Sequence, residues 1–281
     1  MRESARGNVL AKKASRGLDR GMRPFASFVC LLIAGMGFFR VSSVHAEETV
    51  SVAAAADLVF CLDEIDAAFE KSHPGIKVQV TSGSSGNFFA QIQHGAPFDV
   101  FLSADVSYPR QLAETGLADK ASLYTYAVGR IVLWTMKPEI DVKRGLAVLS
   151  DSAVHKVAVA NPEHAPYGRA AKAALEHEKL WESLQPKIVL GENIAQTLQF
   201  VQSGNADAGL VALSLVLAPK LAGQGTYFEV PESFHPRLEQ GAVLTKQGAA
   251  KAGAKAFLQY LASPEARPIL DRYGFSLPSA K

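Results

Sequence analysis

From Thr49 onward the hydrophobic positions switch repeatedly between two periods. TVSVAAA (49–55) is a nearly unbroken apolar run of strand length, and the segment after it sets Leu58, Leu62, Ile65 and Phe69 on one face of a helix over 58–72. IKVQV (76–80) returns to a strand, NFFAQIQHG (87–95) reads as a helix closed by glycine, and FDVFLSA (98–104) is a further strand. A second series begins near GRIVLWTM (129–136). It continues with strand KVAVAN (156–161), helices from about Tyr167 and from Asn193, and strand AGLVAL (208–213). QGAVLTK (240–246) and a terminal helix over 250–266 close the chain. Such alternation predicts an α/β protein of βαβ units, with mainly parallel sheets flanked by helices. No internal repeat, low-complexity tract or long linker interrupts it. The pattern therefore predicts two small lobes that exchange strands at a hinge, residues 47–127 plus 237–281 and residues 128–236.

The first 46 residues do not share this pattern. After Met22 and Arg23 comes an apolar run from Phe25 to Phe39, then Val44-His45-Ala46 ahead of two glutamates. This is the layout of a secretory signal peptide cleaved after Ala46. The run is short for a bilayer span, which needs roughly 20 residues; an uncleaved anchor is the alternative. Residues 1–21 are basic and patternless, so translation could start at Met1 or at Met22.

Charge changes meaning once the leader is set aside. The 281-residue chain carries +2, but the leader holds eight of its 29 basic and two of its 27 acidic residues. The remainder has 21 basic and 25 acidic residues, a net charge of −4, which gives no electrostatic footprint for nucleic acid. Cys30 lies in the apolar run, in SFVC, without the small residue that a lipobox places before its cysteine. Cys61 is then the only thiol outside the leader, which excludes an internal disulfide and a thiolate metal cluster; it falls in the apolar pattern of a helix, as a buried inert thiol would.

The stretch TSGSSGNFF (81–89) joins a strand to a helix and reads equally as a slack linker, a turn or an anion-holding loop. Three other strand ends lead into helices in the same way. AAADL precedes the helix at Leu58, APYG puts Pro166 at a first helical position, and GENIAQ gives Asn193 as a cap with Gln196 three residues later. A helix N-terminus presents unpaired N–H donors and roughly half a positive charge. In open α/β sheets such termini gather at the carboxyl ends of strands, where ligands bind. Two facing lobes would aim four of them into one cleft, offering about six to eight donors to a small oxyanion without any lysine or arginine.

Enzyme signatures are absent. SGSSG is no G-x-S-x-G elbow, because Ser82 stands where glycine is needed, and the dipeptide Gly-Lys of a phosphate-binding loop never occurs. HEKLW ends in Trp181 where a zinc protease needs histidine, and histidines 73, 94, 155, 164, 177 and 235 show no ligand spacing. Asp105, in LSAD, reads as a turn or cap residue.

VAAAADL, SGSSGNFFAQIQHGAPFDVFLSAD, YAVGRIVLW, NPEHAPYG and the closing RYGF occur in this order and together resemble the periplasmic molybdate-binding proteins of ABC importers, over residues 49 to 277. The resemblance implies a two-lobed periplasmic binding-protein fold. It also implies tetrahedral molybdate or tungstate held in the inter-lobe cleft through hydroxyls and backbone N–H groups, with no direct protein–metal bond and no cofactor. Carried over by residue, it assigns a hydroxyl and N–H to Ser85, backbone N–H groups to Tyr167 and Ile194, and a hydroxyl to Tyr126. One branch of the family supplies a tyrosine where this chain has Ala212, which fits the assignment of Tyr126. The departure is at Ala56-Asp57, where the family often has serine, threonine or asparagine. An ionised Asp57 would repel a dianion by about 4 kcal/mol per pair of unit charges at 4 Å and an effective dielectric of 20. Its side chain is therefore expected to turn away and cap its own helix, leaving the N–H of Ala56 or Asp57 to the ligand. The resemblance further implies a monomeric periplasmic receptor, not an enzyme, that delivers its anion to an inner-membrane ABC permease. A receptor for sulfate or phosphate and an anion-handling hydrolase are the alternatives.

Overall fold

The computed structural model describes residues 47–276, and the expected leader lies outside them. Ten strands run in chain order: β1 (Glu48–Ala55), β2 (Ile76–Gly83), β3 (Val100–Ser103), β4 (Tyr124–Gly129), β5 (Ile131–Thr135), β6 (Val157–Ala160), β7 (Ile188–Gly191), β8 (Ala208–Ala212), β9 (Thr226–Glu229) and β10 (Leu238–Leu244). The α-helices are α1 (Val59–Ser72), α2 (Ser85–Gln93), α3 (Ser107–Glu114), α4 (Pro166–His177), α5 (Trp181–Leu184), α6 (Ile194–Gln202), α7 (Leu213–Val216), α8 (Ala252–Leu261) and α9 (Arg267–Arg272).

The strands form two five-stranded sheets, ordered β2-β1-β3-β10-β4 and β7-β6-β8-β5-β9. β1 pairs in parallel with β2 and β3, and β6 with β7 and β8. β10 runs antiparallel to β3 and β4, and β5 antiparallel to β8 and β9. Both sheets are thus mixed but mainly parallel, as the alternation predicted: four strands share one direction in each, and a single strand, β10 or β5, enters in reverse. The chain passes from one sheet to the other at Arg130, whose side chain bonds the Gly274 carbonyl at 3.1 Å and Glu229 at 2.8 Å. It returns between β9 and β10. β4 stays paired with β10 as far as Gly129, two residues past the predicted lobe boundary.

Strand alternation fixes the cores. Val50, Val52 and Ala54 of β1 face Leu62, Ile65 and Phe69 of α1 and Phe257 of α8, all essentially buried. Ala53 points the other way, to Phe88 and Ile92 of α2 and Leu112 of α3. The second sheet buries Ile131–Trp134, Val157–Ala160 and Ala208–Ala212 against Ala170, Ala171 and Ala174 of α4 and Leu198 and Val201 of α6. Small residues on α4 let that helix lie close to the sheet. At Gly168 an added Cβ would stand 2.2 Å from the Ala160 carbonyl oxygen.

Several elements differ from their sequence reading. β2 runs on through Thr81, Ser82 and Gly83, paired with Ala53, Ala54 and Ala55, so the loop before α2 is a single residue, Ser84. The terminal helix is two helices, α8 and α9, with Ser263-Pro264 between them. β7 and β9, four residues each and partly exposed at the sheet edges, are strands that the sequence reading did not name.

Candidate functional site

Four strand-to-helix junctions converge on one small cavity. Its lining comprises Ala55–Asp57 at the end of β1, Gly83–Ser85 at the end of β2, Ala165–Tyr167 at the start of α4, and Asn193 and Ile194 at the start of α6, with Ala104 after β3. The space between these residues, counted out to its opening on solvent, is about 200 Å³. Larger apolar grooves, such as one of about 730 Å³ beside Tyr124, Leu244 and Leu258, lie elsewhere and gather no such set of helix starts.

Three of the junctions, those at α6, α4 and α2, leave main-chain donors unspent. At α6, the Asn193 side chain accepts from the N–H groups of Ala195 and Gln196, both at 3.0 Å. The N–H of Ile194, in the first turn, has no intrahelical acceptor. Gln196 reaches back to the N–H of Glu192, at 2.6 Å, so the predicted capping box closes one residue earlier than its usual form. At α4, Pro166 fills the first position, where its missing N–H costs nothing, and no side chain caps the helix, so the N–H of Tyr167 is left over. At α2, Ser84 provides no side-chain cap, and the Ser85 N–H is likewise in the uncapped first turn. Ser85 Oγ accepts from the Ala104 N–H at 3.0 Å and makes no other hydrogen bond among the described residues. Its own proton is thus available to the cavity.

Contacts between the two sheet halves surround this space. The Gly86 N–H and the Ser84 hydroxyl both donate to the His164 carbonyl, at 2.9 and 2.6 Å, and Asn87 donates to Glu192 at 2.6 Å. Arg169 of α4 pairs with Asp105 at 2.6 Å and bonds the Tyr108 hydroxyl at 3.0 Å. Gly86 permits this approach, since a Cβ there would lie 2.5 Å from the His164 oxygen.

Ala56, Asp57, Ser85, Tyr167 and Ile194 therefore come together, although 138 positions of sequence separate the first from the last. Tyr126 does not line the cavity. Its hydroxyl donates to Gln240 Oε1 at 2.6 Å, one side chain removed from the space. The assignment of Tyr126 as a direct hydroxyl donor is corrected to this indirect position, behind Gln240. Ala212 also lies outside the lining.

Asp57 supplies a second correction. Its side chain does not cap its helix. It is buried, and Oδ2 accepts from the Tyr167 hydroxyl at 3.0 Å and from Gln240 Nε2. Oδ1 is buried with no hydrogen-bond partner. Burial is the largest influence on this carboxyl and pushes its pKa up to about 6, opposed by the hydrogen bonds from Gln240, Tyr167 and its own backbone. Burial, then the charge of Asp57, hold the hydroxyls of Tyr126 and Tyr167 well above their ordinary pKa, so both remain donors. The lining holds no lysine or arginine. Gln240 is the residue that sequence reading missed. Its one signal is a polar amide abutting the apolar run GAVL, and the structure buries it completely within β10.

Two mixed sheets joined by crossing strands, with a small cavity where their helix starts meet, are the architecture of a solute-binding protein. No cluster of metal-ligating side chains occurs among the described residues. Residues 50–276 match the family model described as bacterial extracellular solute-binding protein, and the chain belongs to that family. Among curated relatives it is 42% identical over 226 residues to the molybdate-binding protein ModA of Rhodobacter capsulatus, covering 80% of this chain and 87% of that one. It is 41% identical over 244 residues to ModA of Azotobacter vinelandii, covering 86% and 95%. The solved periplasmic molybdate-binding protein of A. vinelandii superposes with a TM-score of 0.78 at 35% identity, over 82% of this chain and all of that one.

Proposed function

We propose that the protein is the periplasmic receptor of an ABC importer for a tetrahedral oxyanion, molybdate first and tungstate with it. The observation that carries this reading is the cavity of about 200 Å³ onto which four helix starts bring main-chain N–H groups and the Ser85 hydroxyl, without a cation. Partial charges from helix ends and hydrogen bonds to an ionised acceptor, each worth about 1.5–3 kcal/mol, replace a counter-ion. The ligand-facing groups are the N–H groups of Ala56 or Asp57, Ser85, Tyr167 and Ile194, plus the Ser85 hydroxyl. The anion is held as a complete oxyanion, with no protein–metal bond and no cofactor.

In this reading the leader of residues 1–46 directs secretion, the halves built on the two sheets open and close about the crossings at Arg130 and before β10, and a monomer in the closed form docks on the permease. The contacts of Gly86 and Ser84 with His164 and of Asn87 with Glu192 support closure of the halves over the cavity. Selection against sulfate, of equal charge but smaller, comes from cavity size and donor placement. Calorimetric titration of the secreted protein with molybdate, tungstate, sulfate and phosphate tests the assignment. Tight 1:1 binding of molybdate is expected. Binding of sulfate or phosphate with none of molybdate or tungstate would overturn it.

A further inference from the structure

Asp57 stands where an anion receptor has least use for a carboxylate, and its two oxygens are not equivalent. Oδ2 is occupied by Tyr167 and Gln240. Oδ1 is the unpartnered oxygen, on a residue 1% exposed that itself lines the cavity. We propose that the oxyanion is bound together with one proton, carried on Asp57 Oδ1, which makes that oxygen a hydrogen-bond donor to the anion and couples ligand uptake to proton uptake. The inference rests on the oxyanion-receptor reading and extends it to the chemistry of one side chain.

The surroundings leave a proton as the available neutralising charge. Gln240 from β10 and Tyr167 from α4 are neutral donors, and Tyr126 from β4 stands behind Gln240. Cys61 of α1 is held protonated by burial and by the charge of Asp57 itself. Ser214 of α7 donates to the Asp57 carbonyl at 2.7 Å, and α6 and α7 carry no ionisable side chain. On β2 the ionisable residue is Lys77, at the far end from the cavity and paired with Glu70. Arg169 of α4 is engaged by Asp105. At the rim, His164 Nδ1 lies 3.0 Å from the Ser84 hydroxyl and Nε2 lies 3.7 Å from Glu192. Burial brings the carboxyl to a pKa of about 6. An adjacent dianion favours the neutral form further, so the pKa in the complex is higher still.

The sign of the coupling follows. Well below pH 6 Asp57 is already protonated and affinity is independent of pH. Above it, each bound anion must bring a proton, and affinity falls about tenfold per pH unit until the pKa of the complex is reached. Titrations with molybdate and with tungstate at pH 6, 7 and 8, each in two buffers of different ionisation enthalpy, read both quantities. Expected are a fall in affinity of roughly 50-fold from pH 6 to 8 and uptake approaching one proton per anion at pH 8. In Asp57→Asn the ratio of the two affinities should fall to near one. Constant wild-type affinity without proton uptake overturns the proposal, whether or not the variant folds. A slope that survives in Asp57→Asn also overturns it. Absence of binding at every pH instead removes the oxyanion reading itself.

Discussion

Ser85→Ala separates what this hydroxyl does for the fold from what it does for a ligand. Ser85 Oγ accepts the buried N–H of Ala104 at 3.0 Å, and its proton is uncommitted among the described residues. Removing the oxygen strands the Ala104 donor, at a cost of about 1–3 kcal/mol in unfolding free energy. Removing the proton deletes a hydrogen bond to an ionised acceptor, worth about 1.5–3 kcal/mol, or roughly 12- to 150-fold in affinity. Urea unfolding without ligand reads the first quantity, and calorimetric titration with molybdate at constant pH reads the second. Both should fall. Reduced stability with unchanged affinity would show that the oxygen serves only Ala104, and Ser85 would leave the site. If neither changes, the Ser85–Ala104 bond does not exist as described.

Three further outcomes are expected. Gly86→Ala should weaken molybdate binding about tenfold or more, because its Cβ would meet the His164 oxygen at 2.5 Å and break the two bonds that close the halves there; small-angle scattering with ligand should show a less compact particle, and unchanged affinity would refute the role of the contact. Asp57 has its pKa raised to about 6 in the fold from 3.8, so it destabilises the ligand-free protein above pH 6 and that penalty fades as pH falls towards 4. The stability gap between Asp57→Asn and the wild type should therefore move by about 2.5 kcal/mol in the variant's favour from pH 4 to 7; Asp66, also raised, to about 7, cancels in the comparison. Tyr126→Phe should cost about 1 kcal/mol of stability through its lost bond to Gln240, with a smaller effect on molybdate affinity than Ser85→Ala; the reverse order in titration would restore Tyr126 as a direct contact.

Much of the site could be read locally because its parts are local. Pro166 at a helix start, Asn193 with two N–H groups in reach, and the Ser84–Ser85 junction each announce a helix N-terminus within a few residues of sequence. What escaped was long-range. Gln240 meets Asp57 across 183 positions and Tyr126 across 114, and no periodicity couples such residues. The predicted cap by Asp57 was outweighed by the tertiary pull of two donors, Tyr167 and Gln240, at the same oxygen. Thr81, Ser82 and Gly83 look like loop and are strand, because β1 offers them paired backbone right to its end at Ala55. The antiparallel entry of β10 and β5 is invisible for a similar reason, since a buried apolar strand reads the same in either direction.

The donors proposed for the ligand are chiefly peptide groups, and a peptide group belongs to no residue type. Single substitutions at Ala56, Tyr167 or Ile194 leave the N–H in place, so selection on such a site acts on the path of the chain. What must be inherited is the means of steering that path: a proline that starts one helix, a glycine that admits a neighbouring carbonyl, a cap that uses two donors and spares a third. Ligand choice can then drift by shifts of the junctions relative to one another, while a survey of charged side chains would record nothing at all.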